Sequence, residues 1–503
     1  MSACSSMALR PLSAVILLAL SSTSFGASFT IQDGETVTTQ QTLNDNETGT
    51  IETGGELSTS GVTAIDAPGD NANIESNGSI TTSGDNAYGI YSRGNNATIS
   101  NNGNIIGSGK NAVRILSTGD YATINNSGNI STTSGDNANG IFSMGTDATI
   151  NNSGSIFTSG IFAYGIRSLG GTINNSGNIS TSGAGSYGIL SEGNNTTNNS
   201  GSISTTGENA DGIYSNGTDA AINNSGSIST TGENADGIRS TGDNATINNS
   251  GSISTTGEKS DGIYSNGTDA AINNSGSIST TGENADGIRS TGDNATINNS
   301  GLISATGPDS LAISGDLSSD RNTTVNLLSG SQIIGGIDLG QNGSDNDTVN
   351  IYSGSASANL SILNTENINL FTPGVVVGDT ARAQVITLDP TGESTRGVAL
   401  AGMTSSIHNV IGQRMAQTTP LKQVQLASLE LSPGMYFEEH KPVAWAQVFG
   451  GRFDRDAEGG AIAYDHHHVG VNFGYEWDIS GHRSGLMGGV VRSKTDTQTA
   501  SFE

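Results

Sequence analysis

The residues able to do acid–base, nucleophilic or metal chemistry are few and unevenly placed. The six histidines are His408, His440, His466, His467, His468 and His482, and the single cysteine is Cys4. The first 400 residues therefore have no histidine for a Ser-His-Asp or Cys-His hydrolase or for a zinc site. Neighbouring residues of a strand point to opposite faces, so the His466–His468 triplet is a poor metal ligand set. We expect neither a metal nor another cofactor.

Carboxylates alone could hydrolyse glycosides, and one row of them is conspicuous. Asp211, Asp236, Asp261 and Asp286 recur at the same point of consecutive sequence units. A catalytic pair should interrupt a repeat at one place, whereas these residues recur in every copy. We therefore predict that the chain is not an enzyme, with a carbohydrate-active enzyme as the alternative. Asp345, Asn346 and Asp347 could ligate calcium, but an Asp-rich turn explains them without an ion.

The elements that position these groups are tandem repeats. Gly201–Ser225 reads GSISTTGENADGIYSNGTDAAINNS, Gly226–Ser250 is a close copy, and the pair recurs from Gly251 to Ser300. Looser copies extend towards the N-terminus. A fixed period of this size is typical of a solenoid.

Each unit contains three short β-prone runs, each with one isoleucine, separated by Gly, Asn, Ser and Asp. Three strands and three turns would form one coil of a right-handed parallel β-helix. One coil cannot offset its own ordering entropy, so coils should be stable only as a stack. The recurring Asn-Asn pairs predict amide side chains that hydrogen-bond from coil to coil. A leucine-rich repeat is disfavoured, since regular leucines and helical spacing are missing.

Composition excludes several other classes of protein. Only 33% of the 503 residues are hydrophobic and 71 are glycine, which suits a repeat better than a conventional globular core. The net charge of −28 argues against nucleic acid as a partner. Residues 1–26, with Arg10 before an apolar run, predict a signal peptide for export through the periplasm to the outer membrane and the cell surface.

The C-terminal third changes character. Leu400, Met403, Ile407, Val410, Ile411 and Arg414 have helical spacing and predict one short helix. From His468 to Trp477 the residues alternate, with Val469, Val471, Phe473, Tyr475 and Trp477 on one side and His468, Gly470, Asn472, Gly474 and Glu476 on the other. This alternation is typical of a transmembrane barrel strand. Val443–Phe449 and Ser484–Lys494 are compatible flanking strands.

The order of signal, β-helix, helix and aromatic-rich strands resembles the autotransporter family of type V secretion with a pertactin-like passenger. The tandem INNSGSI units and the AWAQVFGG, VGVNFGYEW and SGLMGGV segments carry this resemblance. It implies a surface-displayed passenger, a helix near Met403–Met415 in the barrel pore, and a C-terminal translocator. Family translocators resemble twelve-stranded barrels, and about three strands follow Lys441. We therefore expect an incomplete, truncated antiparallel barrel that does not translocate the passenger on its own.

The predicted all-β chain divides into six parts: a signal peptide (1–26), N-terminal capping strands (27–72), the repeat β-helix passenger (73–314), C-terminal passenger coils (315–380), a linker with the pore-threading helix (381–440), and the truncated barrel (441–503).

The residue after the middle isoleucine should face outward in each coil. Aligned units place Tyr91, Leu116, Phe142, Arg167, Leu190, Tyr214, Arg239, Tyr264 and Arg289 in this column. Such side chains are enriched at contact surfaces, but they also reinforce stacks.

We interpret this column as a candidate contact face and predict adhesion or cell–cell or host interaction as the function. The expected partners are outer-membrane lipid for the barrel region, and host or bacterial surface glycans or proteins for the passenger. A passive surface spacer is a second alternative to adhesion. An interruption of the repeat would favour the enzyme, whereas uniform coils favour binding.

Overall fold

The computed structural model describes residues 27–315, 322–340, 346–352, 359–371, 374–378, 381–387, 443–455, 463–479 and 482–498. These residues form β-strands and turns and contain no helix. The predicted signal peptide and the predicted helix at 403–415 lie outside the described residues. Among the described residues, no helix is long and apolar enough to cross a membrane.

The described residues between 27 and 387 form a parallel β-helix with three faces. Consecutive strands in the chain belong to different faces, and each strand pairs with its equivalent one coil away. The first sheet has 15 strands: Phe29–Ile31, Thr48–Ile51, Asn73–Ser76, Thr98–Asn101, Thr123–Asn126, Ala148–Asn152, Gly171–Asn175, Thr196–Asn199, Ala221–Asn224, Thr246–Asn249, Ala271–Asn274, Thr296–Asn299, Thr324–Leu327, Thr348–Tyr352 and Asn367–Phe371.

The second sheet has 13 strands: Thr36–Val37, Glu56–Ser60, Ser79–Ser83, Asn104–Ser108, Asn129–Ser134, Ser155–Thr158, Asn178–Thr181, Ser202–Thr205, Ser227–Thr230, Ser252–Thr255, Ser277–Thr280, Leu302–Ala305 and Gln332–Ile334. The third has 16: Gln41–Thr42, Ile65–Ala67, Ile90–Ser92, Ile115–Ser117, Ile141–Ser143, Ile166–Ser168, Ile189–Ser191, Ile213–Ser215, Ile238–Ser240, Ile263–Ser265, Ile288–Ser290, Ile313–Ser314, Ile337–Asp338, Asn359–Leu363, Arg382–Thr387 and Gly374–Gly378. The last two strands pair antiparallel at the C-terminal end.

The core is a set of isoleucine columns, one for each face. Ile213, Ile238 and Ile263 are in register on the third sheet, and each is fully buried. Parallel strands at roughly 4.8 Å spacing place these side chains directly on one another. A stack of 15 strands is therefore roughly 70 Å long.

Two asparagine columns on the first sheet support the stack. The inner amides hydrogen-bond in series, with Asn224 Nδ2 donating to Asn249 Oδ1 at 2.8 Å. The outer amides also bond from coil to coil, with Asn248 Nδ2 donating to Asn223 Oδ1 at 2.8 Å. The inner column donates towards the C-terminus and the outer column towards the N-terminus. The predicted coil-to-coil amide bonding is confirmed.

The turns need a left-handed backbone conformation at one residue. Asn209, Asn234 and Asn284 have φ of +55°, +52° and +53° at the corner between the second and third sheets. Asparagine tolerates this conformation better than most residues with a side chain, because its short polar group can bond locally. The recurring asparagines of the repeat are thus explained by both stacking and turn geometry.

A separate antiparallel sheet consists of Val443–Arg455, Ala463–Ile479 and His482–Gln498. In its central strand Val469, Val471, Phe473 and Tyr475 are exposed, whereas His468 and Asn472 on the other face are buried. The predicted alternation is confirmed. The flanking strands are longer than predicted, since pairing with the central strand continues beyond their apolar parts.

Candidate contact face

The third sheet brings the predicted contact residues together in one column. Each member pairs in register with the next one along the stack, from Tyr91 beside Leu116 to Tyr264 beside Arg289. The intermediate pairings link Leu116, Phe142, Arg167, Leu190, Tyr214, Arg239 and Tyr264. The repeat therefore aligns the predicted residues as a continuous line across nine coils.

The members of the column are not equally accessible. Leu116 and Leu190 are only 6% and 5% exposed. Both leucines occupy the outward position predicted for the column, but they are covered and not accessible to solvent. The tyrosines and Phe142 are half-buried, and Arg289 is exposed.

The charged and aromatic members contact one another. Arg167 lies 4.6 Å from the ring centroid of Phe142, and its Nε donates to Glu192 Oε2 at 2.7 Å. Arg239 lies between two rings, 5.8 Å from Tyr214 and 5.0 Å from Tyr264. Such cation–π contacts reinforce a stack by about 0.5–1 kcal/mol each at partly exposed sites. The column thus has a structural role in the stack.

A row of buried carboxylates lies three residues before the outward column. Asp211, Asp236 and Asp261 are at most 5% exposed. The backbone N–H of Asp236 donates to Asp211 Oδ1 at 2.7 Å, and that of Asp261 donates to Asp236 Oδ1 at 2.8 Å. Asp286 accepts the backbone N–H of Leu311 in the same way at 2.8 Å. These residues, the alternative glycosidase row, form a regular hydrogen-bonded ladder.

Burial governs the ionisation of this ladder. It raises the pKa of Asp236 to about 6, and the backbone N–H of Asp261 and the guanidinium of Arg239 oppose the rise. The pKa values of Asp211 and Asp261 also lie well above the ordinary range, because both are buried and both face Asp236. Arg239 Nη1 is 3.8 Å from Asp236 Oδ2.

Sequence reasoning missed an aromatic group beside the predicted column. Tyr164 and Tyr187 occupy the positions that Asp211 and Asp236 occupy in later coils, and their rings stack 5.3 Å apart. Tyr187 also meets Tyr214 edge to face at 5.1 Å. Burial raises the pKa of Tyr164 and of Tyr187. Aligning the residue two before the middle isoleucine in each unit would have revealed this group.

One coil has apolar residues at a turn where most other coils have polar ones. Ile161 and Phe162 replace the usual acidic residue and asparagine, and they are 47% and 51% exposed. Phe157 on the adjoining strand is also exposed. Phe162 has φ +54°, a conformation that is strained for a bulky side chain. Exposed apolar residues maintained at a cost in strain are a feature of contact surfaces.

Among the described residues, no group of three or more His, Cys, Asp or Glu side chains is arranged to hold a metal ion. In the Asp ladder one oxygen of each carboxylate accepts a hydrogen bond from a backbone N–H, so that oxygen has a structural role. The face offers rings, guanidiniums and apolar corners.

The fold and the C-terminal sheet define a class of protein: a long β-helix passenger joined to a sheet with an apolar exposed face. Two family models match the chain, the BigA third pectate lyase-like domain over residues 70–275 and the autotransporter beta-domain over residues 444–502. Together with the β-helix, the two matches are consistent with an autotransporter: the C-terminal match indicates an outer-membrane protein, and residues 70–275 are similar to a pectate lyase-like passenger domain. No curated protein and no solved structure matches it.

Proposed function

We propose that the passenger is a non-catalytic adhesin that uses the third sheet as its contact face. The observation that carries the proposal is the register of Tyr, Phe and Arg side chains in one line, beside the exposed Ile161–Phe162 corner. Aromatic residues and arginine dominate the energetics of protein contacts. A repeated face makes many weak contacts, so attachment should increase with the number of coils presented.

The proposed partners are glycans or proteins on host or bacterial surfaces, and outer-membrane lipid contacts the C-terminal sheet. We also propose that residues 1–26 direct export through the periplasm. The alternative of a carboxylate-based glycosidase is weakened by the ladder, because each carboxylate already accepts a backbone hydrogen bond. The passive spacer is weakened by the strained, exposed Phe162.

The test replaces Tyr214, Arg239, Tyr264 and Arg289 together with serine in cells that display the passenger fused to a complete translocator barrel. We expect attachment to host cells and to other bacteria to fall severalfold, since contacts along one face add up. Circular dichroism and a melting curve of the purified chain establish that the stack persists. Undiminished attachment by a folded variant would refute the contact face.

The matched control changes the outward column of the second sheet in the same coils, with Ser204, Ser229, Ser254 and Ser279 replaced by alanine. Attachment should be unchanged.

Because Arg239 faces Asp236, replacing it could destabilise the fourfold variant. A second variant, with only Tyr214→Ser and Tyr264→Ser, therefore retains both arginines. A loss of attachment by this second variant supports the proposal, and normal attachment by it contradicts the proposal.

A further inference from the structure

The carboxylates of the ladder are not needed for the hydrogen bond that they make. Asn139 occupies the same column in an earlier coil and is also buried. Its Oδ1 accepts the backbone N–H of Tyr164 at 2.9 Å, as Asp211 Oδ1 accepts that of Asp236 at 2.7 Å. An amide thus completes the same coil-to-coil bond without a charge. The charge of the four aspartates is therefore not required for the hydrogen bond between coils and must have another role.

The positive charges around the ladder are fewer than its carboxylates. Arg239 and Arg289 are the cations that act on it from the outward column, and Tyr187 faces Asp211. Tyr214 and Tyr264 lie against these two arginines. Four carboxylates therefore meet two guanidiniums. Each carboxylate is also next to another, one coil away, and burial removes the water that would screen them. Full ionisation of this column opposes folding.

We propose that the Asp211–Asp236–Asp261 ladder is a proton-operated switch in the β-helix, which holds the coils between Gly201 and Ser300 most firmly in acid and loosens them as the pH rises. The proposal rests on the geometry of the ladder and does not depend on the adhesive function. Protonated carboxyls keep the backbone hydrogen bond through Oδ1, as Asn139 does, and remove the repulsion between coils.

The direction of the effect follows from linkage. The pKa values of these carboxyls are higher in the folded chain than the value of about 3.9 for a free Asp. Their contribution to stability is therefore fully present below about pH 4 and is lost as the pH rises through the folded values, about 6 for Asp236. Each proton released changes the opening equilibrium about tenfold per pH unit. Three stacked sites make the response steeper than one.

The test measures hydrogen–deuterium exchange of the full chain at about pH 5 and about pH 8, with rates corrected for intrinsic exchange. Peptides from Gly201–Ser300 should lose protection at the higher pH, by more than tenfold. Peptides from Thr98–Asn175, whose column carries Val113, Asn139 and Tyr164, serve as the internal reference and should change little. Equal protection at both pH values in Gly201–Ser300 would overturn the proposal.

Two variants identify the groups responsible. D211N/D236N/D261N should be as well protected at about pH 8 as at about pH 5, because asparagine retains the hydrogen bond and cannot ionise. The control D219N/D243N/D269N removes three exposed corner carboxylates from the same coils and should keep the wild-type dependence. If the first variant retains that dependence, the ladder is not the switch. Should it fail to fold, the single variant D236N decides, with a reduced dependence supporting the proposal and an unchanged one refuting it.

Discussion

Arg114 lies where the adjacent coils have Gly89 and Gly140. Its guanidinium is fully buried, donates to Thr82 Oγ1 at 2.8 Å and to the carbonyl of Ala112, and leaves Nε unsatisfied. Burial lowers its pKa to about 10. Space for it comes from Gly107, which replaces the Thr82 and Thr132 of adjacent coils. The two departures from the repeat therefore compensate each other.

Restoring both positions should stabilise the chain. We expect R114G/G107T to raise the free energy of unfolding by about 1–3 kcal/mol, because a buried group with incomplete hydrogen bonding is removed. G107T alone should destabilise it, since the added Cβ would overlap the Arg114 guanidinium. Denaturant unfolding of the two single variants and the double variant measures the coupling. A double variant less stable than the wild type would contradict this account.

Phe162 gives a second prediction for a single residue. The equivalent corners hold Asn137, Gly185 and Asn209, all with positive φ. F162N should raise stability by about 1 kcal/mol by relieving backbone strain, while attachment falls if the corner binds a partner. N137F is the converse control and should destabilise the chain. Thermal melting measures both, and a lower melting temperature for F162N would show that the ring contributes more by packing than it costs in strain.

At the scale of elements, the two asparagine columns differ in burial. Asn249 accepts from Asn224 at 2.8 Å, donates to Asn274 at 2.8 Å and is 1% exposed. Asn248 makes equivalent bonds to Asn223 and Asn273 on the half-buried outer surface. Water can replace a lost partner only in the outer column.

Alanine at each position should separate these roles. We expect N249A to lower the free energy of unfolding by about 2–3 kcal/mol, because it removes one hydrogen-bond partner from the buried amide on each side. N248A should cost less than about 1 kcal/mol, since solvent reaches its neighbours. Equilibrium unfolding in urea compares the two. Equal costs would show that burial does not decide the contribution of an amide column.

At the scale of the whole molecule, the β-helix is modular. Gly251–Ser300 repeats Gly201–Ser250 except at positions 209 and 210, and strands of both blocks pair in the same register. Stability in such arrays is a sum of coil and neighbour terms. The length of the rod can therefore change without changing the fold.

Deletion of Gly251–Ser300 tests this modularity. Ser250 then precedes Gly301, which keeps every strand in phase, so we expect unchanged circular dichroism per residue and a rod shorter by roughly 10 Å in small-angle scattering. A deletion of ten residues from Gly251 is the control and should disrupt the stack, because it moves side chains to the wrong face. Loss of β structure in the 50-residue deletion would refute independent coils.

The sequence by itself determined the three-strand coil, the buried isoleucines, the stacked amides and the alternating C-terminal strand. These features depend on the spacing of residues within one unit and on its repetition, which are local. The sequence also shows that the repeat contains neither histidine nor cysteine, on which hydrolases of the Ser-His-Asp and Cys-His types depend.

Only the tertiary structure decided which side chains meet between coils. The burial of Leu116 and Leu190, the pairing of Gly107 with Arg114, and the placement of Phe162 against Gly185 depend on contacts between residues about 7 to 27 positions apart. The Asp ladder shows the same limit: its recurrence is visible in the sequence, but its burial, and hence its raised pKa values, arises only when the coils stack and place each carboxylate next to that of the adjacent coil. Desolvation is a property of the assembled stack, and no single unit encodes it.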